Sequence, residues 1–307
     1  MSGTLLQLLV VVAGAPLLSG LMRQVRARLE GRAGAGVLQP WRDLRKLLRK
    51  EPITPHGTGW VFRSAPAVLA ATALVVAAVV PLVTTASPLD GVADLFAVAA
   101  LLALGSVALA LAGLDTGTAF GGMGASREMV VLALVEPTIL LSVFALSIPA
   151  GSTNLAAIVT SGVDLVSPVS LLVAAALAVV VLAETGRVPV DNPSTHLELT
   201  MIHEAMVLEY SGPDLALIEW AEAVRLAVLL GLVGSLFAPA GIAGAGAGVL
   251  ALGVAVAAFA LKTALLGALL AAGEVFMAKL RLFRIPELLA GSFLMALLAV
   301  AASYFLT

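Results

Sequence analysis

The sequence predicts an all-α polytopic membrane protein, and three observations carry that. Of 307 residues, 61% are hydrophobic and only 12% charged, about half the charged share of an ordinary soluble domain. Several apolar runs reach the ~20 residues that a helix needs to cross a bilayer. Those runs are continuously apolar rather than alternating, which selects helices over a barrel. Cysteine is absent, so this chain offers neither a disulfide framework nor thiolate-held zinc or iron–sulfur clusters.

Eight spans are predicted within a single integral-membrane domain over 1–307: about 4–22, 65–83, 93–114, 127–149, 167–183, 215–237, 244–273 and 288–306. The N-terminal MSGTLLQLLVVVAG shows no basic region of a signal peptide. Its positive charges, Arg23, Arg26, Arg28 and Arg32, follow the first span instead, which places that end inside. The loop from Arg23 to Arg63 holds 10 of the 17 Lys and Arg. Arg127, Arg187, Lys279, Arg281 and Arg284 mark the other inner loops, whereas the outer loops near 84–92, 150–166 and 238–243 carry no Lys or Arg. Both termini are therefore expected outside.

In the first inner loop, Gly31–Gly36 (GRAGAG) is a flexible connector. QPWRDLRKLLRKEP follows, from Gln39 to Pro52. Pro40 suits a first helical turn and Pro52 an end. Trp41, Leu44, Leu47 and Leu48 share one face, with Arg42, Arg45, Lys46, Arg49 and Lys50 around the rest. This predicts a basic amphipathic helix at the membrane surface, either an interfacial anchor or a docking platform for a soluble partner. The four glycines of Gly117–Gly124 match neither phosphate-loop pattern and predict a tight, closely packed turn.

Glu136 falls nine residues after Arg127, about 13 Å along a helix and near mid-membrane. Glu184 closes span five, Glu222 and Arg225 lie in span six, Lys262 lies inside span seven, Glu274 ends it, and Asp115 ends span three. An isolated charge at such depth costs at least ~2.5–3.5 kcal/mol. These groups should pair, as Glu222 with Arg225 could, or line a hydrated proton path made of Glu136, Glu184, Glu222, Lys262, Asp115 and Glu274.

Residues 183–225 hold 8 of the 19 acidic residues. Asn192 or Ser194 can cap a helix that runs to about Tyr210, with Pro193 in its first turn. Its stripe would be Leu197, Met201, Ala205 and Leu208, with His196, Thr200 and His203 on another face. His203–Glu204 begins like the zinc motif H-E-x-x-H, but Val207 stands at the second histidine position, so no metalloprotease site follows. His196 and His203 are either hydrogen-bonded loop histidines or a lone metal pair.

The stretch AETGRVPVDNPSTHLELTMIHEAMVLEYSG resembles the large inner loop of the subunit 1 family of respiratory complex I, with its A-E-x-N-R-x-P-F-D and later E-Y-S-G. Ala183, Glu184, Arg187, Pro189 and Asp191 match the first part, and Glu209, Tyr210, Ser211 and Gly212 the last. Gln39, Pro40, Asp43, Lys46, Leu47, Lys50 and Glu51 resemble a second family segment. Gly124, Arg127 and Glu136 match a third. Gly186 stands for the usual Asn and Val190 for the usual Phe. The changed acidic run resembles the formate hydrogenlyase subunit 4 and hydrogenase-4 component C branch of that family, which serves membrane-bound nickel–iron hydrogenases.

The resemblance implies a membrane foot, in the inner cell membrane, on which a soluble redox arm stands. It implies no cofactor on this chain. Iron–sulfur and nickel–iron centres would sit on partners: a hydrogenase large subunit-like chain and iron–sulfur subunits, with antiporter-like membrane subunits alongside and no nucleic acid. Gln39, Trp41, Asp43, Lys46, Lys50 and Glu51 would dock the arm. The acidic loop, with Arg187, Asp191, His196, Glu198, His203, Glu204 and Glu209, would couple it to proton movement. Its altered sequence argues against carrying over the family's quinone cavity. The alternatives are a quinone-site subunit of a complex I-type NADH dehydrogenase, a stand-alone transporter, which the lack of an inverted repeat opposes, and a scaffold without a proton role.

Overall fold

A computed structural model describes residues 2–162, 164, 166–191, 201–278, 280 and 284–306. Eight long helices stand where the apolar runs predicted spans: α1 (Ser2–Leu29), α3 (Trp60–Val79), α4 (Leu95–Asp115), α5 (Ala119–Ala150), α7 (Pro168–Glu184), α9 (Gly212–Phe237), α10 (Val249–Phe276) and α11 (Ile285–Leu306). Short helices lie between them: α2 (Gln39–Leu47), α6 (Leu155–Ser161) and α8 (His203–Val207). Six of the long helices are long and apolar enough to cross a membrane, and α7 is a shorter apolar one. α9 has 26 residues and carries Asp214, Glu219 and Glu222 in its first half and Arg225 just past its middle. The chain is an all-α polytopic membrane protein.

Sequential and distant neighbours both pack. α3 packs on α4 and α9, and α4 on α5. α10 packs on α1 and α9, while α11 returns to α5 and α7. Prolines inside the helices show how these contacts are specified. A proline donates no N–H, so the carbonyl four residues earlier is left over, and in a membrane it must find another donor. Pro16 frees Val12, whose oxygen takes Trp220 Nε1 from α9 at 3.3 Å. Pro66 frees Phe62, whose oxygen takes the Tyr210 hydroxyl at 2.7 Å. Pro149 frees Ala145, whose oxygen takes Ser303 Oγ from α11 at 3.0 Å. Pro81, just past α3, frees Ala77. There Gln7 of α1, 1% exposed, donates Nε2 at 2.7 Å, and donates again to Val80 O at 2.8 Å. Its Oε1 accepts from the amides of Leu82, Val83 and Thr84 at 3.3, 2.9 and 3.3 Å. One neutral side chain thus closes the end of α3.

Several expectations change. The helix expected up to Tyr210 is not continuous. Residues 192–200, with His196 and Glu198, lie outside the described residues, as do Lys279 and Arg281. Of the remainder only α8 is helical. The reason is tertiary: Asp191 Oδ2 accepts the amides of Ile202 and His203 at 3.1 Å each, and Arg127 Nη1 donates to Met201 O at 2.8 Å. Leu208, expected on the apolar stripe, is exposed. The expected glycine turn shrinks to Gly117, at φ +64°. Thr118 caps α5 by accepting from Gly121 N at 3.2 Å, so the other three glycines are helical. The outer loop at 150–166 contains α6, capped by Asn154.

The basic amphipathic helix is present as α2, ending at Leu47 rather than near Pro52. It packs against α1 and α9, with Pro40 and Leu44 buried. Trp41 Nε1 donates to Ala13 O of α1 at 3.2 Å. Gly20 makes the turn into α2 possible, since a Cβ there would lie 2.0 Å from Val37 O. Gly20→Ala is expected to displace α2 and lower stability in detergent by ~1–3 kcal/mol, read as a lower thermal unfolding midpoint. An unchanged midpoint would show that the 33–38 connector yields freely.

Candidate functional site

The ends of α1, α5, α7, α9 and α10 that adjoin the basic loops surround a chamber of about 680 Å³. Its lining is mostly ionisable. α1 supplies Arg23 and Arg26, α5 Glu128, and α9 Glu219, Glu222 and Arg225. α7 and the turn after it supply Glu184, Arg187 and Asp191, α8 His203 and Glu204, and α10 Glu274. α4 contributes Ser106 and Leu109.

The floor is an ion pair between Arg225 and Glu184, whose side chains are 8% and 1% exposed. Arg225 Nη2 also donates to Ser106 Oγ at 2.8 Å and to Leu102 O at 3.3 Å. The pairing of Glu222 with Arg225 along one helix is therefore not what forms; the partner of Arg225 comes from α7. Below the floor, Glu136 feels the charges of Glu184 and Arg225. Its Oε1 is buried without a hydrogen-bond partner. Glu136 and Glu128 are eight residues apart on α5, ~12 Å along the axis, so one helix carries a carboxylate at the chamber and another beneath it.

The mouth is bridged by charges. Glu274 accepts Arg187 Nη1 at 2.9 Å and faces Arg26 Nη1 at 3.8 Å. Arg26 Nε in turn donates to Glu30 at 3.0 Å, and Glu30 also binds Arg32. On the far wall the His203 ring stands between Glu128 and Asp191, at 3.5 and 3.6 Å. Burial alone would lower the His203 pKa. Glu128, Asp191 and Glu222 outweigh it and lift the imidazole to about 10.

Of the predicted site residues, Glu184, Glu222, Glu274, Arg187, Asp191, His203 and Glu204 come together in this chamber, with Glu136 beneath. Asp115 does not join them. It accepts the amides of Gly59 at 2.7 Å and Phe62 at 3.1 Å, capping α3 from the end of α4. Lys262 of α10 packs beside Gly234, outside the chamber lining, and Glu209 also lies off it. Gln39, Trp41, Asp43 and Lys46 lie on α2, where Gln39 Nε2 donates to Asp43 at 2.8 Å and Lys46 sits 3.9 Å from it. Lys50 and Glu51 fall just past its end.

Sequence reasoning missed Glu128, Glu219, Arg23, Arg26 and Arg32 as chamber residues. Glu128 follows Arg127 at the start of the fourth predicted span and reads there as an ordinary interfacial charge, although α5 begins at Ala119. Its only signal was the two-turn spacing to Glu136. Among the described residues no group of three or more His, Asp or Glu is arranged to hold a metal ion.

The fold and the chamber define a polytopic integral-membrane protein built around buried ionisable groups. The family described as NADH dehydrogenase matches residues 3–304, and the chain belongs to that family. It is 39% identical over 240 residues to formate hydrogenlyase subunit 4 of Escherichia coli (strain K12), covering 77% of each chain. It is 38% identical over 239 residues to hydrogenase-4 component C of the same organism, covering 77% of this chain and 75% of the relative. A chain in the structure of the membrane-bound sulfane sulfur reductase, an archaeal respiratory membrane complex, superposes with a TM-score of 0.80 over 98% of this chain and 99% of its own. At 19% identity that likeness speaks for the fold.

Proposed function

We propose that this chain is the membrane-anchor and proton-pathway subunit of an energy-converting hydrogenase or formate hydrogenlyase-like complex in the inner cell membrane. The observation that carries the reading is a chamber of paired carboxylates and arginines at the end of the bundle that adjoins the basic loops, continued downward by Glu136, whose Oε1 is buried without a hydrogen-bond partner. The resemblance to two hydrogenase-type relatives supports the choice of complex. The soluble arm would stand over the chamber mouth on α2 and the acidic loop at about 184–214, with its iron–sulfur and nickel–iron centres on other chains. A redox step there shifts charge or water at the mouth. The Glu184–Arg225 pair responds, and Glu222 and Glu136 take up or release the proton that moves on towards antiporter-like neighbours.

Glu136→Gln and Glu184→Gln are each expected to abolish most proton translocation in reconstituted vesicles while the complex still assembles. A carboxamide keeps the shape but cannot ionise. Undiminished translocation in both variants would sink the relay. The match to the NADH dehydrogenase family leaves one alternative, a quinone headgroup entering the chamber. Titrating the purified complex with quinone analogues separates the two, because binding near Glu184–Arg187 favours the quinone reading.

A further inference from the structure

We infer that His203 is a standing imidazolium, clamped between Glu128 and Asp191 in a seat that glycine at 186 leaves open, and that it fixes the loop after α7 to α5 instead of passing protons. The inference rests on the reading of the chamber as a charge path and narrows which groups carry it. Both ring nitrogens face carboxylate oxygens: Nε2 is 3.5 Å from Glu128 Oε2, and Nδ1 is 3.6 Å from Asp191 Oδ2. An ionised carboxylate only accepts, and a neutral imidazole donates from one nitrogen alone. A neutral ring would therefore turn a lone pair on one of the two carboxylates, and only the doubly protonated ring suits both. Glu128 Oε2 and His203 Nδ1 are both buried and neither takes part in a hydrogen bond, so the ring meets the two carboxylates as a charge, and among the described residues it is the cation that stands at Glu128 Oε2.

The seat is specific. Gly186 has φ +58°, where side chains are disfavoured. A Cβ there would lie 2.7 Å from His203 Nδ1, 3.0 Å from Cγ and 3.1 Å from Cε1. Asp191 is tied to the same backbone by the Ile202 and His203 amides. The clamp therefore joins α5, the turn after α7 and the start of α8.

The charges around the ring agree. α5 presents Glu128, and Arg127 beside it is bound to Met201 O. α7 presents Glu184, already paired with Arg225 of α9. α9 adds Glu222, and α8 itself carries Glu204. α4 lines the chamber with Ser106 and Leu109, and its one carboxylate, Asp115, lies off the chamber, engaged by Gly59 and Phe62. A folded pKa near 10 against a reference of 6.5 contributes stability that is fully present below about pH 6.5 and is lost as pH rises through about 10. The loop thus stays fastened through neutral pH.

The test uses the full chain in lipid or detergent with ¹⁵N-labelled histidine. Of three histidines, His203 is assigned by the signal that His203→Gln removes. Its two ring nitrogens are expected to keep the imidazolium signature beyond about pH 8, where a free imidazole is neutral. Conversion to a neutral tautomer between about pH 6 and 8 would overturn the clamp. Gly186→Ala is expected to push the ring from its seat, so that His203 titrates within about one unit of a free imidazole. The Ile202 and His203 amides would then exchange about tenfold faster. An unchanged ring signature and unchanged exchange in that variant would overturn the seat. None of these readouts depends on proton translocation, so failure of the Glu136 and Glu184 variants to uncouple would remove the functional reading and leave the clamp standing.

Discussion

Arg225→Met is expected to destabilise the bundle by about 3–5 kcal/mol, the cost of leaving a buried charge without its partner. Arg225 neutralises Glu184 at the chamber floor and holds Ser106 and the Leu102 carbonyl of α4. Without it, Glu184 keeps its burial and loses its counter-ion, and α4, α7 and α9 lose their common contact. Glu184→Gln/Arg225→Met together should recover most of the loss, because replacing both members of a buried pair is often close to neutral. Equilibrium unfolding of the four species in mixed micelles gives the coupling energy. A double variant as unstable as Arg225→Met alone would mean that the arginine acts through α4 and not through Glu184.

The second large effect belongs to Tyr210. Its ring stacks on Phe62 with centroids 4.0 Å apart and planes 3° from parallel. Its hydroxyl serves the Phe62 carbonyl that Pro66 left over. Next to it, Ser211 Oγ accepts the Ile53 amide at 2.9 Å, and a Cβ at Gly212 would come within 2.9 Å of Glu51 O. Tyr210→Ala is expected to cost about 3–5 kcal/mol, as large-to-small changes at buried aromatics do. Tyr210→Phe should cost about 1–3 kcal/mol, since it keeps the ring and strands one buried carbonyl. Thermal unfolding of the two variants checks the order. Equal losses would place the whole effect in the hydroxyl.

These contacts show what could be read from residues in line. The membrane helices were legible because an apolar run of that length has few other fates. The basic α2 was legible from its spacing, and the signatures around Glu184 and Tyr210 pointed to the family. The meeting of those signatures was not legible, because Ser211 and Ile53 lie 158 residues apart. Prolines announce which carbonyls are orphaned but not which distant side chain adopts them. Asp115 misled for a related reason: a carboxylate at a helix end looks the same whether it faces a chamber or the first amides of a neighbour. For Arg225 the sequence offered an acid three residues away on the same helix as one possible partner, whereas the shared floor of α7 and α9 supplies Glu184.

Gln7 has an electrical consequence. The ionisable chamber occupies one end of the bundle, while at the other end an uncharged amide and the backbone groups it binds fill the space between α1 and α3. In an energised membrane the voltage would then fall chiefly across that neutral, tightly bonded end, and a hydrated chamber would sit close to the potential of its own side. Each charge carried through a full 100 mV costs about 2.3 kcal/mol. On the proposed proton-pathway reading, loading a proton into the chamber would meet little of that opposition, and the electrical work would fall on whatever carries the proton out again.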